Sequence, residues 1–275
     1  MDSTDSKIAC AFYIYKQMEK IKLTVIQYDI AWEVKDKNFR IIEKLISHLE
    51  HDTDILILPE MFNTGFSMNT GGLAESPRAE TFDWMVHIAE KHQSAVCGSY
   101  IVRDKDRFYN RWVFVTPEKK SWTYDKRHLF SPGNEDKVFS KGSERLIFTF
   151  RGVRISANIC YDLRFPVWSR NKGEYELLIN SANWPAARRE VWLTLLRARA
   201  IENQCYVAGA NRIGTDGNGV NHIGDSMIIS PKGEIIVSAD KNKECSISAV
   251  ISIPELKEFR KKFPILKDAD DFIIT

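Results

Sequence analysis

The 275-residue chain has few cysteines and no long apolar segment. Its five cysteines lie 40 to 87 residues apart, a spacing that fits neither a disulfide framework nor a CxxC metal site, so a reducing cytosol is the expected location. The longest apolar run near the start, residues 9–15, is far shorter than the roughly 18 residues of a membrane span. Acidic residues precede it where a secretory signal carries positive charge, so neither a membrane segment nor a targeting segment is expected.

The chain also has almost no net charge. Lysine and arginine number 39 against 37 aspartates and glutamates, so the formal charge is +2 and no nucleic-acid partner is expected. With 44% apolar residues the chain can bury a substantial core, which excludes disorder as its dominant state. These counts favour a globular protein whose partner is a small molecule.

Motifs for metal and serine chemistry are missing as well. The sequence has no HExxH and no GxSxG, and His87 and His92 lie five residues apart, on different faces of a predicted helix. None of the six histidines lies in a catalytic motif: His48, His51, His87, His92, His128 and His222. We expect solvated histidines and no metal or organic cofactor.

The pattern of apolar residues predicts one α/β domain with a mixed sheet. A patterned strand begins only after Lys20, so residues 1–19 are expected to be an extension outside the fold and residues 20–275 a single domain. Helices are predicted over residues 39–49, after a cap at Ser76-Pro77, and over residues 188–203. The predicted strands are 23–27, 55–58, 94–102, 108–115, 121–124, 145–150, 153–159, 176–179, 206–210 and 223–229.

A glycine-rich segment at residues 214–219 is predicted to be a hairpin turn. Its Asp-Gly and Asn-Gly dipeptides are typical of such turns because glycine and asparagine accept positive φ. A phosphate-binding loop needs a GK[ST] signature with a helix directly after the glycines, and here a strand pattern follows. Residues 230–233 form a second predicted turn.

The segment Ile159-Cys-Tyr-Asp-Leu-Arg-Phe-Pro166 is the most informative part of the sequence. An apolar strand ends at Cys160 and turns toward a helix that Asp162 is expected to cap. Such a turn brings backbone N–H groups near the sulfur and favours the thiolate, which is the nucleophilic form. Most free cysteines are buried structural residues, and that interpretation is kept for the cysteines in strand-like runs, which are Cys97, Cys205 and Cys245.

Two further strands end in charged residues. Glu60 follows one apolar run and Lys126 another. In a water-poor pocket the pKa of the glutamate would rise toward neutrality, which suits a group that takes and returns protons. Lys126 is expected to lower the thiol pKa and to hold an oxyanion together with the N–H of Tyr161. Taken singly, Glu60 and Lys126 are more typical of a structural salt bridge, but with Cys160 they complete a hydrolase set.

These residues and their surrounding words resemble the nitrilase superfamily of carbon–nitrogen hydrolases. LPEMF contains Glu60, YDKRHLF contains Lys126 and NICYDLRFP contains Cys160, at intervals of 66 and 34 residues. The likeness continues through SPGNED, SANWP, RARAIENQCYVAGANRIG and GDSMIISPKGE, from about residue 20 to about residue 253. It implies a four-layer α-β-β-α sandwich with mixed sheets, and it implies that Glu135 is a second glutamate that positions substrate and lysine.

Within the superfamily the words FPVWSRN and NRIGTDGNGVNHIGDS most resemble the omega-amidases, although Val167 replaces a common glutamate. The expected reaction is hydrolysis of the terminal amide of 2-oxo acid amides such as 2-oxoglutaramate, with release of ammonia through a Cys160 thioester. A nitrile, a carbamoyl amino acid or a neutral aliphatic amide is an alternative substrate. A catalytically silent binding or scaffold protein is the non-enzymatic alternative.

A 2-oxo acid amide carries a carboxylate, and a buried anion requires a cation or several N–H donors. Arg164 or Arg188 is the candidate cation, although either is equally well explained as a loop anchor. An apolar wall is expected from three aromatic residues, which are Phe62, Phe66 and Trp184. The resemblance also implies a homodimer or a larger homo-oligomer.

Overall fold

The computed structural model describes residues 20–49 and 52–273, so the predicted extension at residues 1–19 lies outside the described residues. Five α-helices occur there: α1 (Lys35–Ser47), α2 (Thr70–Leu73), α3 (Glu80–His92), α4 (Arg189–Asn203) and α5 (Ile253–Lys262). The strands of the same residues are β1 (Lys20–Gln27), β2 (Ile55–Ile57), β3 (Ala95–Asp104), β4 (Arg107–Val115), β5 (Ser121–Asp125), β6 (Ile147–Phe150), β7 (Val153–Ile159), β8 (Leu177–Ala182), β9 (Tyr206–Asn211), β10 (Ile213–Thr215), β11 (Asn221–Ile223), β12 (Met227–Ile229), β13 (Ile235–Ser238) and β14 (Cys245–Ser252).

Most strands belong to two six-stranded mixed sheets. The first sheet has the order β14-β1-β2-β3-β4-β5 and the second β13-β12-β9-β8-β7-β6, while β10 and β11 form a separate hairpin. In the first sheet β1, β2 and β3 are parallel, and in the second β7, β8 and β9 are parallel, with antiparallel strands outside them. The two sheets therefore repeat one pairing pattern, in which β2 and β8 hold equivalent places.

The two sheets pack face to face, and their central strands are apolar on the inner face as well as on the outer face. Along β1 and β2, Leu23, Val25, Ile55 and Ile57 join the core between the sheets, whereas Leu56 packs on the outer side. Successive side chains of a strand point to opposite faces, so a continuous apolar run is what a sheet covered on both sides requires. The partners in the second sheet include Ile155, Ile159, Leu177, Ile179 and Ala208.

Helices cover the outer faces of both sheets and complete the four layers. The apolar faces of α1 and α3 pack on the first sheet through Phe39, Ile42 and Met85. The face of α4 that contains Trp192 and Leu196 packs on the second sheet. The predicted α-β-β-α sandwich with mixed sheets is confirmed.

Two local predictions need correction, and a third is confirmed. Helix α3 begins at Glu80 after Ala79, which makes no side-chain capping bond, so the cap predicted at Ser76-Pro77 is wrong. The predicted strand 223–229 is interrupted, because Gly224 has a φ of +85° and its Cα hydrogen faces the Gln27 amide, leaving no room for a side chain. The hairpin turn at residues 214–219 is confirmed as the connection between β10 and β11.

No helix in residues 20–49 and 52–273 is long and apolar enough to cross a membrane. The candidate functional residues lie at one edge of the sandwich. The carboxyl ends of β2 and β5 in the first sheet meet those of β7 and β8 in the second, and the side chains that follow these ends face one another across the two sheets.

Candidate active site

Cys160 stands at a strained turn directly after β7. Its φ is +43°, a left-handed conformation that is costly for a residue with a side chain. The chain continues as a five-residue 3-10 helix, Cys160–Arg164, in place of the α-helix expected from the sequence. Asp162 is inside this helix rather than before it, and its Oδ2 accepts a hydrogen bond of 3.0 Å from the N–H of Ile159. The sharp turn presents the sulfur at the edge of the sheet.

A fully buried group of polar side chains lies next to this turn, and we call Glu60, Asn110, Lys126 and Glu135 the ionic cluster. Lys126 Nζ is 2.7 Å from Glu60 Oε1 and 2.8 Å from Glu135 Oε2. The Nδ2 of Asn110 donates to Glu60 Oε1 at 2.8 Å and to Glu135 Oε1 at 3.0 Å. The residues are at most 1% exposed, so one ammonium and one amide satisfy two carboxylates without access to solvent.

The charges of the ionic cluster depend on one another. Burial acts to lower the pKa of Lys126, but the charges of Glu135 and Glu60 outweigh it and the pKa is raised, which keeps the ammonium charged. Burial raises the pKa of Glu135, although the charge of Lys126 opposes that change. Lys126 therefore keeps its own positive charge within a cluster that also contains two glutamates.

Asn183 connects the cluster to the nucleophile turn. It follows β8, the strand equivalent to β2, and its backbone N–H donates to Glu60 Oε2 at 2.9 Å. Its side-chain amide donates to the backbone oxygen of Glu60, and its own carbonyl lies 3.9 Å from the sulfur of Cys160. Both oxygens of the Glu60 carboxylate are thus oriented, one by Lys126 and one by the second sheet.

Asn110 and Asn183 were not predicted from the sequence. Asn183 lies within the word SANWP, which was noticed only as a likeness, and Asn110 lies in the middle of β4, where a single polar residue gives no signal. Both are identified only by partners 50 and 123 residues away along the chain.

Lys126 lowers the pKa of the Cys160 thiol, as expected, but other influences outweigh it. Burial raises the pKa of Cys160, Glu60 raises it further, and Lys126 opposes this only in part. The net effect is to raise the pKa of the Cys160 thiol, which favours the protonated form of the sulfur. A reaction at this cysteine needs a base to remove that proton, and Glu60 is the carboxylate that the two sheets orient beside it.

Cys160 opens into a pocket of about 550 Å³ that also reaches Glu60 and Lys126. The four residues predicted to bind substrate all line it, and they are Phe66, Tyr161, Arg164 and Trp184. Arg188 lines it as well. The prediction for Phe62 is wrong, because its ring is buried against the outer helices among Phe39, Trp84 and Tyr100.

The two arginines lie on aromatic rings at the pocket surface. The guanidinium carbon of Arg164 is 5.2 Å from the ring centroid of Trp184, and that of Arg188 is 5.2 Å from the centroid of Phe130. We call Phe66, Phe130, Arg164, Trp184 and Arg188 the pocket wall. It places two cations and several aromatic rings in the same pocket as the thiol, an arrangement that suits a small anion with an apolar chain.

The hairpin β10–β11 supplies another side of the pocket, which the sequence did not indicate. Asp216 and His222 are both buried lining residues, so His222 is not the solvated histidine expected. Burial, and then the charge of Arg212, lower the pKa of His222 to about 4, which leaves its ring neutral near pH 7. The hairpin thus adds one acidic side chain, that of Asp216, to the lining of the pocket.

Two further expectations concern metals and Val167. In the described part of the chain no three His, Cys, Asp or Glu side chains are grouped as metal ligands. Val167 is 54% exposed and does not line the pocket, so its difference from the common glutamate leaves the site unchanged.

Comparison with known proteins gives the same result over almost the whole chain. The model of the carbon–nitrogen hydrolase family matches residues 22–261. An omega-amidase, YafV, from Yersinia enterocolitica is 41% identical over 94% of this chain and 100% of that protein. A 2-oxoglutaramate amidase from Bacillus subtilis is 35% identical over 90% of this chain and 97% of its own length.

A similar solved structure is a CN-hydrolase superfamily protein of Xanthomonas campestris with an arsenic adduct in its active site. It superimposes with a TM-score of 0.90 at 38% identity and covers 93% of this chain and 99% of that one. The sequence words, the sandwich and the family match therefore agree. The chain belongs to the carbon–nitrogen hydrolase family and is an amide-hydrolysing enzyme.

Proposed function

We propose that this enzyme hydrolyses the terminal amide of 2-oxo acid amides such as 2-oxoglutaramate and releases ammonia. One observation carries the proposal: Cys160 shares a pocket with Glu60 and Lys126 of the ionic cluster and with Arg164 and Arg188. The cluster supports amide hydrolysis, and the arginines support a substrate with a carboxylate at its far end. The similarity to an omega-amidase and to a 2-oxoglutaramate amidase favours the same substrate class.

The first half of the proposed reaction is acylation. The substrate amide carbon approaches Cys160, Glu60 takes the thiol proton, and the sulfur attacks. The oxyanion that forms is stabilised by Lys126 and by the N–H of Tyr161, which has no acceptor within its own short helix. Glu60 then gives its proton to the nitrogen and the C–N bond breaks. Ammonia departs, and the acyl group remains bound to Cys160 as a thioester.

The second half is hydrolysis of the thioester. A water molecule takes the place of ammonia, Glu60 removes its proton, and the hydroxide adds to the thioester carbon. The same two donors stabilise the second oxyanion, and each such donor contributes about 3 to 4 kcal/mol to transition-state stability. The C–S bond breaks, the sulfur regains the proton from Glu60, and the product acid departs. Glu135 holds Lys126 in place throughout and accepts the backbone N–H of Phe130 at 2.6 Å.

A substrate panel tests this function. Ammonia release from 2-oxoglutaramate should exceed that from nitriles, neutral aliphatic amides and carbamoyl amino acids, and carbamoyl substrates alone would also yield carbon dioxide. Cys160→Ala should fold as the wild type, judged by circular dichroism, and release no ammonia. Undiminished turnover by this variant would refute the mechanism, whereas a preference for another member of the panel would change only the substrate.

The proposal also covers assembly, location and the extent of the domain. We propose a homodimer or a larger homo-oligomer, because exposed apolar side chains lie on β13 and β14, one edge strand of each sheet, at Ile235, Ile236 and Val250. A cytoplasmic location is supported by the four described cysteines, which are all free. Light scattering on the purified chain tests the oligomer.

The extent of the domain is tested separately. Removal of residues 1–19 without loss of activity would support a single domain over residues 20–275.

A further inference from the structure

Asp162 is a buried carboxylate two residues after Cys160, and the proposed mechanism gives it no role. It is inaccessible to solvent and accepts four hydrogen bonds. Its Oδ2 accepts from the N–H of Ile159 at 3.0 Å and from the hydroxyl of Tyr124 at 2.8 Å. Its Oδ1 lies 2.9 Å from the backbone nitrogen of His128 and 2.8 Å from His128 Nδ1. A carboxylate has about four lone-pair sites, so every site of Asp162 is used.

The four partners come from both sheets. Ile159 is the last residue of β7 and precedes Cys160, whereas Tyr124 lies in β5 and His128 follows Lys126 by two residues. Asp162 therefore joins the backbone before the sulfur to the chain on either side of Lys126, through the hydroxyl of Tyr124 and the backbone N–H of His128. Neither Cys160 nor Lys126 can shift along its own sheet without stretching one of these bonds.

A second buried group reinforces this connection. The hydroxyl oxygen of Tyr124 accepts the indole N–H of Trp168 at 2.9 Å and the backbone N–H of Arg127 at 3.2 Å. The ring of His128 stacks on Phe165, with centroids 3.8 Å apart. The segment that contains Lys126 is thus bonded to the chain after Cys160 through side chains of both sheets.

We propose that Asp162 is a positioning residue that fixes the sulfur of Cys160 relative to the Nζ of Lys126. The inference depends on the roles that the proposed function gives to those two groups. Strain at Cys160 explains why such a support is needed, because a left-handed φ persists only where surrounding contacts enforce it. Misplacement of reacting groups by about 1 Å is enough to reduce a rate by about 100-fold.

The geometry requires a carboxylate at this position rather than an amide. In Asp162→Asn one of the two acceptor oxygens becomes an NH₂ group. If that group faces Ile159, it meets a backbone N–H, and if it is flipped it meets the backbone N–H of His128. In both orientations a buried donor loses its acceptor, so the turn and the lysine segment can no longer be held together.

The main experiment measures the kinetics of Asp162→Asn on 2-oxoglutaramate. We expect kcat to fall by about 100-fold while KM changes less than about threefold, because the pocket wall is untouched. Near-ultraviolet circular dichroism and thermal melting establish whether the variant is folded. A folded variant with wild-type kcat would overturn the inference, as would a loss expressed mainly in KM.

Two tyrosines provide a matched pair in case Asp162→Asn fails to fold. Tyr206 is a buried tyrosine away from the pocket, and its hydroxyl donates to Ser252 O at 3.1 Å and accepts from Ser252 N at 3.3 Å. Tyr124→Phe and Tyr206→Phe each remove one such buried hydroxyl. We expect a similar drop in melting temperature for both, but a drop in kcat of about tenfold only for Tyr124→Phe.

The outcomes separate this inference from the proposed function. If Cys160→Ala is inactive while Asp162→Asn and Tyr124→Phe keep wild-type kcat, the positioning role is wrong and the mechanism stands. If Cys160→Ala retains activity, the mechanism itself is wrong. Equal effects of the two tyrosine substitutions on kcat would show a general effect of stability and would also overturn the inference.

Discussion

The ionic cluster and the pocket wall face the same sulfur, but they are built in opposite ways. In the cluster, Glu60, Lys126 and Glu135 are inaccessible to solvent and bound to one another at 2.7 to 3.0 Å. In the wall, Arg164 and Arg188 are partly exposed and rest on aromatic rings. The first arrangement fixes geometry before substrate arrives, whereas the second leaves side chains free to adjust to it.

The physical cost of the two arrangements explains the difference. Buried charges are tolerated only when fully paired, so the cluster is an all-or-none unit and the loss of one member exposes the others to an uncompensated penalty. Exposed cations on rings contribute about 0.5 to 1 kcal/mol each and can be changed singly. We therefore expect changes in the cluster to affect kcat and stability, and changes in the wall to affect KM.

The largest effect is expected from Lys126→Met. This change leaves Glu60 and Glu135 buried together without their cation, so we expect a loss of about 3 to 5 kcal/mol in the free energy of unfolding and no measurable activity. Urea denaturation and ammonia release measure the two effects. Lys119→Met is the matched control, because Lys119 pairs with Glu90 at the surface and should lose at most about 1 kcal/mol. A similar loss in the free energy of unfolding for both variants would show that the ionic cluster contributes no more to stability than a surface ion pair.

Next in size is Glu60→Gln. The amide keeps the shape of the carboxylate but cannot take the thiol proton, so kcat should fall by roughly 10³-fold with little change in KM. Steady-state kinetics on 2-oxoglutaramate provide the measurement. A variant that loses less than tenfold in kcat would mean that another group serves as the base.

A smaller effect is expected in the wall. Arg164→Met and Arg188→Met are compared on 2-oxoglutaramate and on a neutral amide of similar length. The arginine that binds the carboxylate should raise KM for the charged substrate by roughly 10- to 100-fold when replaced, since hydrogen bonds to charged groups contribute about 1.5 to 3 kcal/mol. KM for the neutral amide serves as the internal control. If neither variant changes the preference, the carboxylate is bound elsewhere and the wall has no role in selectivity.

The smallest expected effect is a shift in the pH dependence of Cys160 alkylation. Burial and the charge of Glu60 raise the pKa of Cys160, so alkylation by iodoacetamide should keep accelerating on the alkaline side of neutrality. Glu60→Gln removes a negative charge near the sulfur and should move the same curve to lower pH. Cys160→Ala gives the background from the other cysteines. A curve that is already flat below pH 7 in the wild type would mean that the thiolate is present at rest.

Much of the site was predictable from the sequence because its members lie where strands end. Glu60, Lys126 and Cys160 each follow an apolar strand, and the carboxyl ends of parallel strands share one edge. The role of Glu135 followed from the resemblance, and the structure places its carboxylate against Lys126. The candidate cations Arg164 and Arg188 followed from the carboxylate expected on the substrate, and both line the pocket, as does Phe130, which was not expected. Phe62 was mispredicted because a partly and a fully buried aromatic residue look alike in sequence.

The residues that could not be predicted act across the sandwich. Asn110, Asn183 and Asp162 each form hydrogen bonds to residues of other elements. A single polar residue in or after a strand does not indicate which distant residue it will bind. The buried position of His222 was missed for the same reason. Its neutral ring results from the enclosure of β11 and from Arg212, neither of which has a local pattern.

The sequence by itself determined the strands, their apolar faces and the order of glutamate, lysine and cysteine, because these depend on local periodicity and on residue type. Tertiary structure decided how the two sheets meet and hence which lone pairs, N–H groups and charges come together. It also decided the direction of the thiol pKa, since burial and the neighbouring carboxylate raise that pKa more than Lys126 lowers it. Desolvation and charge interaction depend on distance in space, and residues 123 positions apart, such as Glu60 and Asn183, become neighbours only in the folded sandwich.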